Sequence, residues 1–156
     1  MLYTKLIMLV NLLAFSFIVS QSFLYIIALV NVQRSMDAPS YIQLRKLLDR
    51  NFRAKFSIAI YTSLVTSFAL CIVTASDPGS VLFISSIIAF ISLVIDVILT
   101  MKGNMPINNR INTWTTTMYP DNWQLYREKW LRIFRFRQLV SIIGFISLLL
   151  GALFGN

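Results

Sequence analysis

Four long apolar runs decide what this chain can fold into. They cover residues 6–32, 54–75, 81–101 and 138–154, and one bilayer crossing needs about 20 such residues. Inside hydrocarbon each backbone donor and acceptor must find a partner within its own segment, so runs of this kind fold as α-helices. The expected class is all-α. Short connections between runs predict an up-down-up-down bundle of four transmembrane helices, with residues 1–156 forming one integral membrane domain. The first run is too long for a signal-peptide core and lacks a following small-residue cleavage pattern, so it is expected to be retained. The fourth is short by itself. It is expected to continue an amphipathic helix that begins near Asp121.

Composition agrees with this class. Hydrophobic residues make up 57% of the chain and charged ones 13%, against about 45–50% and about 25% in soluble domains. The formal net charge of +8 would suggest nucleic acid in a soluble protein. Here, Lys5 apart, the cations lie in or beside two basic segments, residues 33–53 and 102–137. Both segments fall on one side of a four-span hairpin. The bias of Lys and Arg towards the cytoplasm therefore predicts cytoplasmic basic loops, outward termini and no nucleic-acid partner. For a bacterial chain this means the inner membrane.

The single cysteine, Cys71, rules out an intrachain disulfide and dithiol redox chemistry, and suits a small buried packing residue. Histidine is absent, which removes the usual ligand of haem, copper and non-haem iron and the commonest general base. No metal and no cofactor is expected. Any catalysis falls to carboxylate, Tyr, Lys, Arg or backbone groups.

Small and polar residues inside the runs recur at helical spacing. Asn11, Ala14, Ile18, Gln21, Tyr25 and Ala28 form one such row. Ser85, Ala89, Ser92, Asp96 and Thr100 form another, and Gly144, Ser147, Gly151 and Gly155 a third. In lipid, small residues permit close helix approach and polar ones hydrogen-bond across it. Packing within the bundle accounts for most of these positions, and the glycine row could equally serve a homo-oligomer or a membrane partner subunit.

Asp96 is the one acid within a span, and at a helix centre an acid costs roughly 2.5–3.5 kcal/mol on insertion scales. It stands six residues before Lys102, about 9 Å along a helix, which places it in the third of the membrane nearest the basic loops. Tyr25 and Tyr61 fall at a similar depth. The expected arrangement is a polar cluster of Asp96, Tyr25 and Tyr61 roofed by Arg137 or Arg127. It would serve either as a buried ion pair or as a pocket.

The segment from Lys102 to Arg137 is the most distinctive part of the chain. Pro106 predicts a helix break, with Asn108 satisfying the freed backbone groups. Ile107, Ile111 and Trp114 share one face of the short helix after the break, and Asn108 and Asn112 share another. Asp121 with Gln124 three residues later reads as a capping box. Beyond it, Trp123, Tyr126, Arg127, Trp130, Ile133, Phe134 and Arg137 fall on one helical face, while Gln124, Glu128, Arg132 and Arg135 fall on the other. Two arginines thus lie on the aromatic side. The helix could be an interfacial belt of tryptophans or a lid over the bundle.

The pattern Pro106-x-Asn108, Trp114, Trp123, Arg127, Trp130 and Arg137 after a third span resembles the anthrone-oxygenase-like membrane proteins. The motif covers residues 104–137, and elsewhere the likeness rests on hydropathy and size. The resemblance implies a four-helix membrane bundle that adds oxygen to polycyclic anthrones without a known metal or flavin. It carries over Asn108, Trp123, Arg127, Trp130 and Arg137. Members often have His or Asn shortly before the last arginine, where this chain has Phe134, Arg135 and Phe136.

Two functions emerge as expectations. One is a cofactor-free oxidoreductase or oxygenase for a lipophilic aromatic substrate. In it Asp96 would act as base, Arg127 or Arg137 would stabilise the anion, and Tyr25, Tyr61, Asn108, Trp123 and Trp130 would bind the substrate. The other is a non-enzymatic membrane component that binds a small molecule or a partner. A transporter is a third, weaker expectation, because no Gly or Pro interrupts a span at the midplane.

Overall fold

The computed structural model describes residues 2–155. Its four main helices are α1 (Leu2–Ser35), α2 (Ala38–Val73), α3 (Val81–Asn112) and α4 (Trp123–Phe154). Each contains a stretch long and apolar enough to cross a membrane, so the chain is an integral membrane four-helix bundle, as the four apolar runs predict. Neighbours are antiparallel and close a ring: α1 packs on α2, α2 on α3, α3 on α4 and α4 on α1.

The helices are 32 to 36 residues long, well beyond the roughly 20 that a bilayer requires. The surplus collects at the basic end of the bundle, opposite the Asp77 turn and the termini. Residues 33–53, expected as a loop, are therefore almost wholly helical. Only Met36 and Asp37 interrupt them. The Asp37 carboxylate accepts from the Ser40 amide at 3.2 Å and Pro39 occupies the first turn, which together start α2 at once. Ser80 caps α3 in the same way, its Oγ accepting from the Phe83 amide at 3.2 Å.

The helix break expected at Pro106 does not occur. A wide π-turn at Thr100–Asn104 precedes the proline, and α3 then runs on to Asn112. A proline lacks an amide donor and crowds the carbonyl four residues back. It sits here in the first turn after the π-turn, where both penalties are smallest. A second π-turn, Tyr25–Leu29, lies within α1 at the same end of the bundle. The capping box expected at Asp121 is also absent: Asn122 precedes the first helical residue and makes no side-chain cap bond. The helix itself continues unbroken from Trp123 into the fourth span, as expected.

Two apolar clusters hold the bundle. Phe15, Ile18, Leu70, Ala89, Leu93 and Leu148 pack within the spans. Tyr25, Tyr41, Ile42, Ile107, Ile111 and all three tryptophans pack at the basic end. Outward residues such as Leu13, Ile58, Val65 and Leu153 are exposed, as a lipid-facing surface requires. The glycine row is spent inside the bundle. A Cβ at Gly144 would stand 2.7 Å from Ser92 Cβ and 2.9 Å from Phe15 Cζ, and one at Gly151 would stand 2.8 Å from Ser85 Cβ. Polar side chains tie the helices across these contacts. Asn11 Nδ2 donates to Ser67 Oγ at 2.8 Å, and Gln138 Nε2 donates to the Ser22 carbonyl at 2.9 Å.

Candidate functional site

At the basic end the four helices surround a cleft of about 150 Å³. Both π-turns border it. Each inserts an extra residue into a helical turn and rotates the rest of the helix, and π-turns gather at functional sites. Tyr25 opens the turn in α1, while Thr100 and Asn104 bound the turn in α3; all three line the cleft.

An ion pair backs one wall of the cleft, which Arg137 lines. Arg137 Nε donates to Asp96 Oδ1 at 2.8 Å and Nη2 donates to Oδ2 at 3.4 Å. Its Nη1 donates to Asn104 Oδ1 at 3.2 Å, and Asn104 Nδ2 donates in turn to the Trp130 carbonyl at 3.0 Å. Asp96 is 2% exposed and stands behind Arg137, outside the cleft wall. Burying two charges is tolerated when they pair with good geometry and the remaining groups are hydrogen-bonded, and both conditions hold here.

Arg45 forms the opposite wall, from α2. Its Nη1 donates to Tyr25 Oη at 3.1 Å and its Nη2 donates to Asn108 Oδ1 at 2.7 Å. Its guanidinium lies 3.8 Å from the Trp130 ring centre. Trp130 Nε1 donates to the same Asn108 oxygen at 2.9 Å, and Asn108 Nδ2 donates to Asp49 Oδ1 at 2.9 Å. Asp49 also accepts from Asn112 at 2.9 Å and from Arg53 at 3.1 Å. Asp49 also lines the cleft, and its carboxylate is shared among two neutral amides and the half-exposed Arg53.

The charge balance is uneven. Arg137 is matched by Asp96 and Arg53 by Asp49. Among the described residues no carboxylate stands within ion-pair distance of Arg45, although Arg45 is only 4% exposed. Its Nε also has no hydrogen-bond partner. A guanidinium cannot shed its proton, and a buried cation is normally paired. Its direct contacts are two neutral acceptors and an aromatic face, and Asp49, one turn along α2, is linked to it only through Asn108.

Tyr41 packs beside this network, one turn before Arg45, with its ring 5.6 Å from that of Trp123. Burial disfavours its phenolate and pushes its pKa up to about 12, with nearby Arg45 pulling the other way. Lys46 donates to the Trp114 carbonyl and fastens the residue 113–122 connection to α2.

Of the residues singled out in the sequence, Tyr25, Asn108, Trp130 and Arg137 line the cleft, and Asp96 lies directly behind it. Three do not join them. Tyr61 is 68% exposed on the outer face of α2, so the expected grouping with Asp96 and Tyr25 fails for it. Counting depth from helix ends puts Tyr61 at the right level but cannot tell which face it occupies. Arg127 turns inward but does not roof Asp96. Its Nη1 donates to the Gln33 and Arg34 carbonyls, both at 3.1 Å. The last carbonyls of a helix lack internal partners, and a cation there satisfies them and the helix dipole. Trp123 is buried against Tyr41, away from the cleft.

Sequence reasoning does not single out Arg45, Asp49 or Asn104. Tyr41, Arg45, Asp49, Phe52 and Phe56 recur every three or four residues after the Asp37–Pro39 start signal, and that spacing would have exposed a helix face. The charge count of the segment conceals it. Asn104 shows no sequence signal beyond its place before Pro106. Among the described residues no cluster of three or more His, Cys, Asp and Glu could hold a metal. No protein-family model, curated protein or solved structure matches the chain.

Proposed function

We propose that this chain is a membrane-embedded binding protein for a small lipophilic anion, held at the cytoplasmic end of the bundle. The observation that carries this reading is Arg45, a buried guanidinium that lines the cleft with no carboxylate within ion-pair distance and with an unpartnered Nε. An anion in the cleft would supply the missing charge and accept from Nε in one step. The sidedness rests on the basic segments at that end of the bundle, which favour the cytoplasm and leave the termini outside. For a bacterial chain the membrane is the inner one.

The likeness to anthrone-oxygenase-like proteins belongs to the same proposal. Asn108, Trp130 and Arg137, three of the positions that carry it, converge on the cleft, which supports a shared architecture. Support for the oxygenase reaction is weaker. A base must reach the substrate. Asp96 is bound to Arg137 outside the cleft wall, and Asp49 accepts from three donors. Binding is therefore favoured over turnover.

The test is thermal unfolding of the detergent-solubilised protein with hexyl phosphate or hexanoate, against hexanol and hexyltrimethylammonium. The anions raise the midpoint and the neutral and cationic controls do not; at a concentration 100 times Kd the stabilisation is about 2.7 kcal/mol. Arg45→Gln removes the effect. Equal shifts with hexanol, or an undiminished response in Arg45→Gln, would refute the proposal. Oxygen uptake on adding an anthrone would install the enzymatic reading in its place.

A further inference from the structure

A second cavity adjoins the cleft. It is an open apolar groove of about 610 Å³ between α1 and α2, walled by Ala14, Phe17, Phe52, Phe56 and Ala59 with Lys55 on its rim. Phe52 and Phe56 belong to both cavities, so the groove and the cleft share one wall. Their rings meet edge to face at 5.0 Å.

The two volumes suit different parts of one molecule. Sites that bury a whole drug-sized ligand run to about 300–1,000 Å³. The cleft, at about 150 Å³, falls short of that and admits only a small head. The groove falls within the range, yet its walls are almost entirely apolar and it opens where lipid chains lie. Charge orders the pair: Arg45 without a direct ion pair on one side of the shared wall, Lys55 beside the groove at the other.

We infer that the ligand is an anionic single-chain lipid, with its phosphate or carboxylate head at Arg45 and its acyl chain along the Phe52–Phe56 wall into the groove. This rests on the anion-binding reading above and adds the chain. A lipid of this kind reaches the site laterally from the membrane leaflet on the basic side. Its head needs no passage through the bundle, and the hydrocarbon stays in apolar surroundings throughout. A neutral lipid leaves Arg45 unmatched. A second copy of the chain or a partner helix fills the groove but leaves the cleft empty.

The experiment is titration of the whole protein in detergent, read by native mass spectrometry. The probes are 1-oleoyl lysophosphatidate, oleate, 1-oleoyl lysophosphatidylcholine and hexyl phosphate. Wild type should bind the long-chain anions at least about tenfold more tightly than hexyl phosphate, a difference of about 1.4 kcal/mol. Lysophosphatidylcholine, with the same chain and no net charge, should not compete with them. Ala59→Trp fills the groove, as does Thr62→Phe from a neighbouring position on the same wall. In either variant that still unfolds cooperatively, the long-chain advantage should vanish while hexyl phosphate binds as before. Arg45→Gln should weaken every anion. Which of oleate and lysophosphatidate binds more tightly identifies the head as carboxylate or phosphate. If both groove variants hold the long-chain anions as wild type does, or if lysophosphatidylcholine competes equally, the acyl-chain inference is overturned and the anion site stands alone. If no anion binds, both fall.

Discussion

Asp96 and Arg137 form the most deeply buried ion pair among the described residues, and a double-mutant cycle would show what it does. Asp96→Asn leaves Arg137 with Asn104, at 3.2 Å, as its other acceptor and no negative charge nearby. Arg137→Met leaves Asp96 without a cation. Breaking a buried pair from one side costs about 3–5 kcal/mol, because the surviving charge stays buried and uncompensated. Replacing both partners by neutral groups of similar size is often nearly neutral. The two singles summed without coupling would cost about 6–10 kcal/mol, comparable with the whole 5–15 kcal/mol that holds a typical domain together. The alternatives are therefore far apart. With coupling, the double variant Asp96→Asn/Arg137→Met is more stable than either single by at least about 2 kcal/mol; without coupling it is less stable than either by about 3–5 kcal/mol. Asp96→Asn is the more damaging single. A carboxylate can be neutralised by taking up a proton, whereas a guanidinium cannot lose one. Unfolding of the purified variants in mixed detergent micelles gives the free energies. A double variant no more stable than Asp96→Asn alone would refute the argument, and with it the structural role assigned to the pair.

Packing and burial set two further outcomes. Gly144→Ala and Gly151→Ala press a methyl group into Ser92 and Ser85 and should each cost about 1–3 kcal/mol in the same assay, whereas Gly79→Ala, with Asp77 Oδ1 its nearest neighbour at 3.8 Å, should be neutral. Tyr41 is fully buried and its hydroxyl has no partner, so Tyr41→Phe should be neutral or stabilising by up to about 1 kcal/mol near pH 7; clear destabilisation would expose a missing acceptor. The same residue sets an alkaline limit. Its folded pKa of about 12 lies above the unfolded value of 10.0, so its contribution is complete below about pH 10 and lost as pH rises through about 12. That loss amounts to about 2–3 kcal/mol, and Tyr41→Phe should abolish this part of the wild-type decline in stability between pH 10 and 12.

The spans are legible in the sequence because hydrophobic length is a one-dimensional property, and lipid permits few alternatives to a helix. The inner faces are legible for a related reason. Asn11, Ser85, Ser92 and Asp96 recur at helical spacing, and polar groups in hydrocarbon must turn inward. The aromatic face of α4 is legible as well, with Trp123, Trp130, Phe134 and Arg137 all buried. Rotation about a helix axis is less legible wherever periodicity is interrupted. Tyr61 lies in a stretch where hydroxyl residues occur on several faces, so depth alone cannot orient it. The π-turn before Pro106 compensates the proline, an outcome that the sequence rule for proline does not anticipate. The first basic segment misleads most. Read as a charged loop, residues 33–53 hide the end of α1 and the start of α2, and with them Arg45.

Arg45 and Arg137 face the same cleft from α2 and α4, and the difference between them separates structure from function. Both are buried, both touch an asparagine oxygen, and both lie near the Trp130–Phe134 aromatic stack. Arg137 has Asp96, which fixes it and cancels its charge. Arg45 has Tyr25, Asn108 and Trp130, which fix its position and leave its charge in place. A bundle built for stability alone would gain by pairing Arg45 or replacing it with an apolar side chain of similar length. Arg45→Met should then stabilise the ligand-free protein while abolishing anion binding, a trade expected of a binding residue and not of a packing one. Loss of stability in ligand-free Arg45→Met, by as much as in Arg137→Met, would make Arg45 a second structural cation and leave the cleft without its ligand.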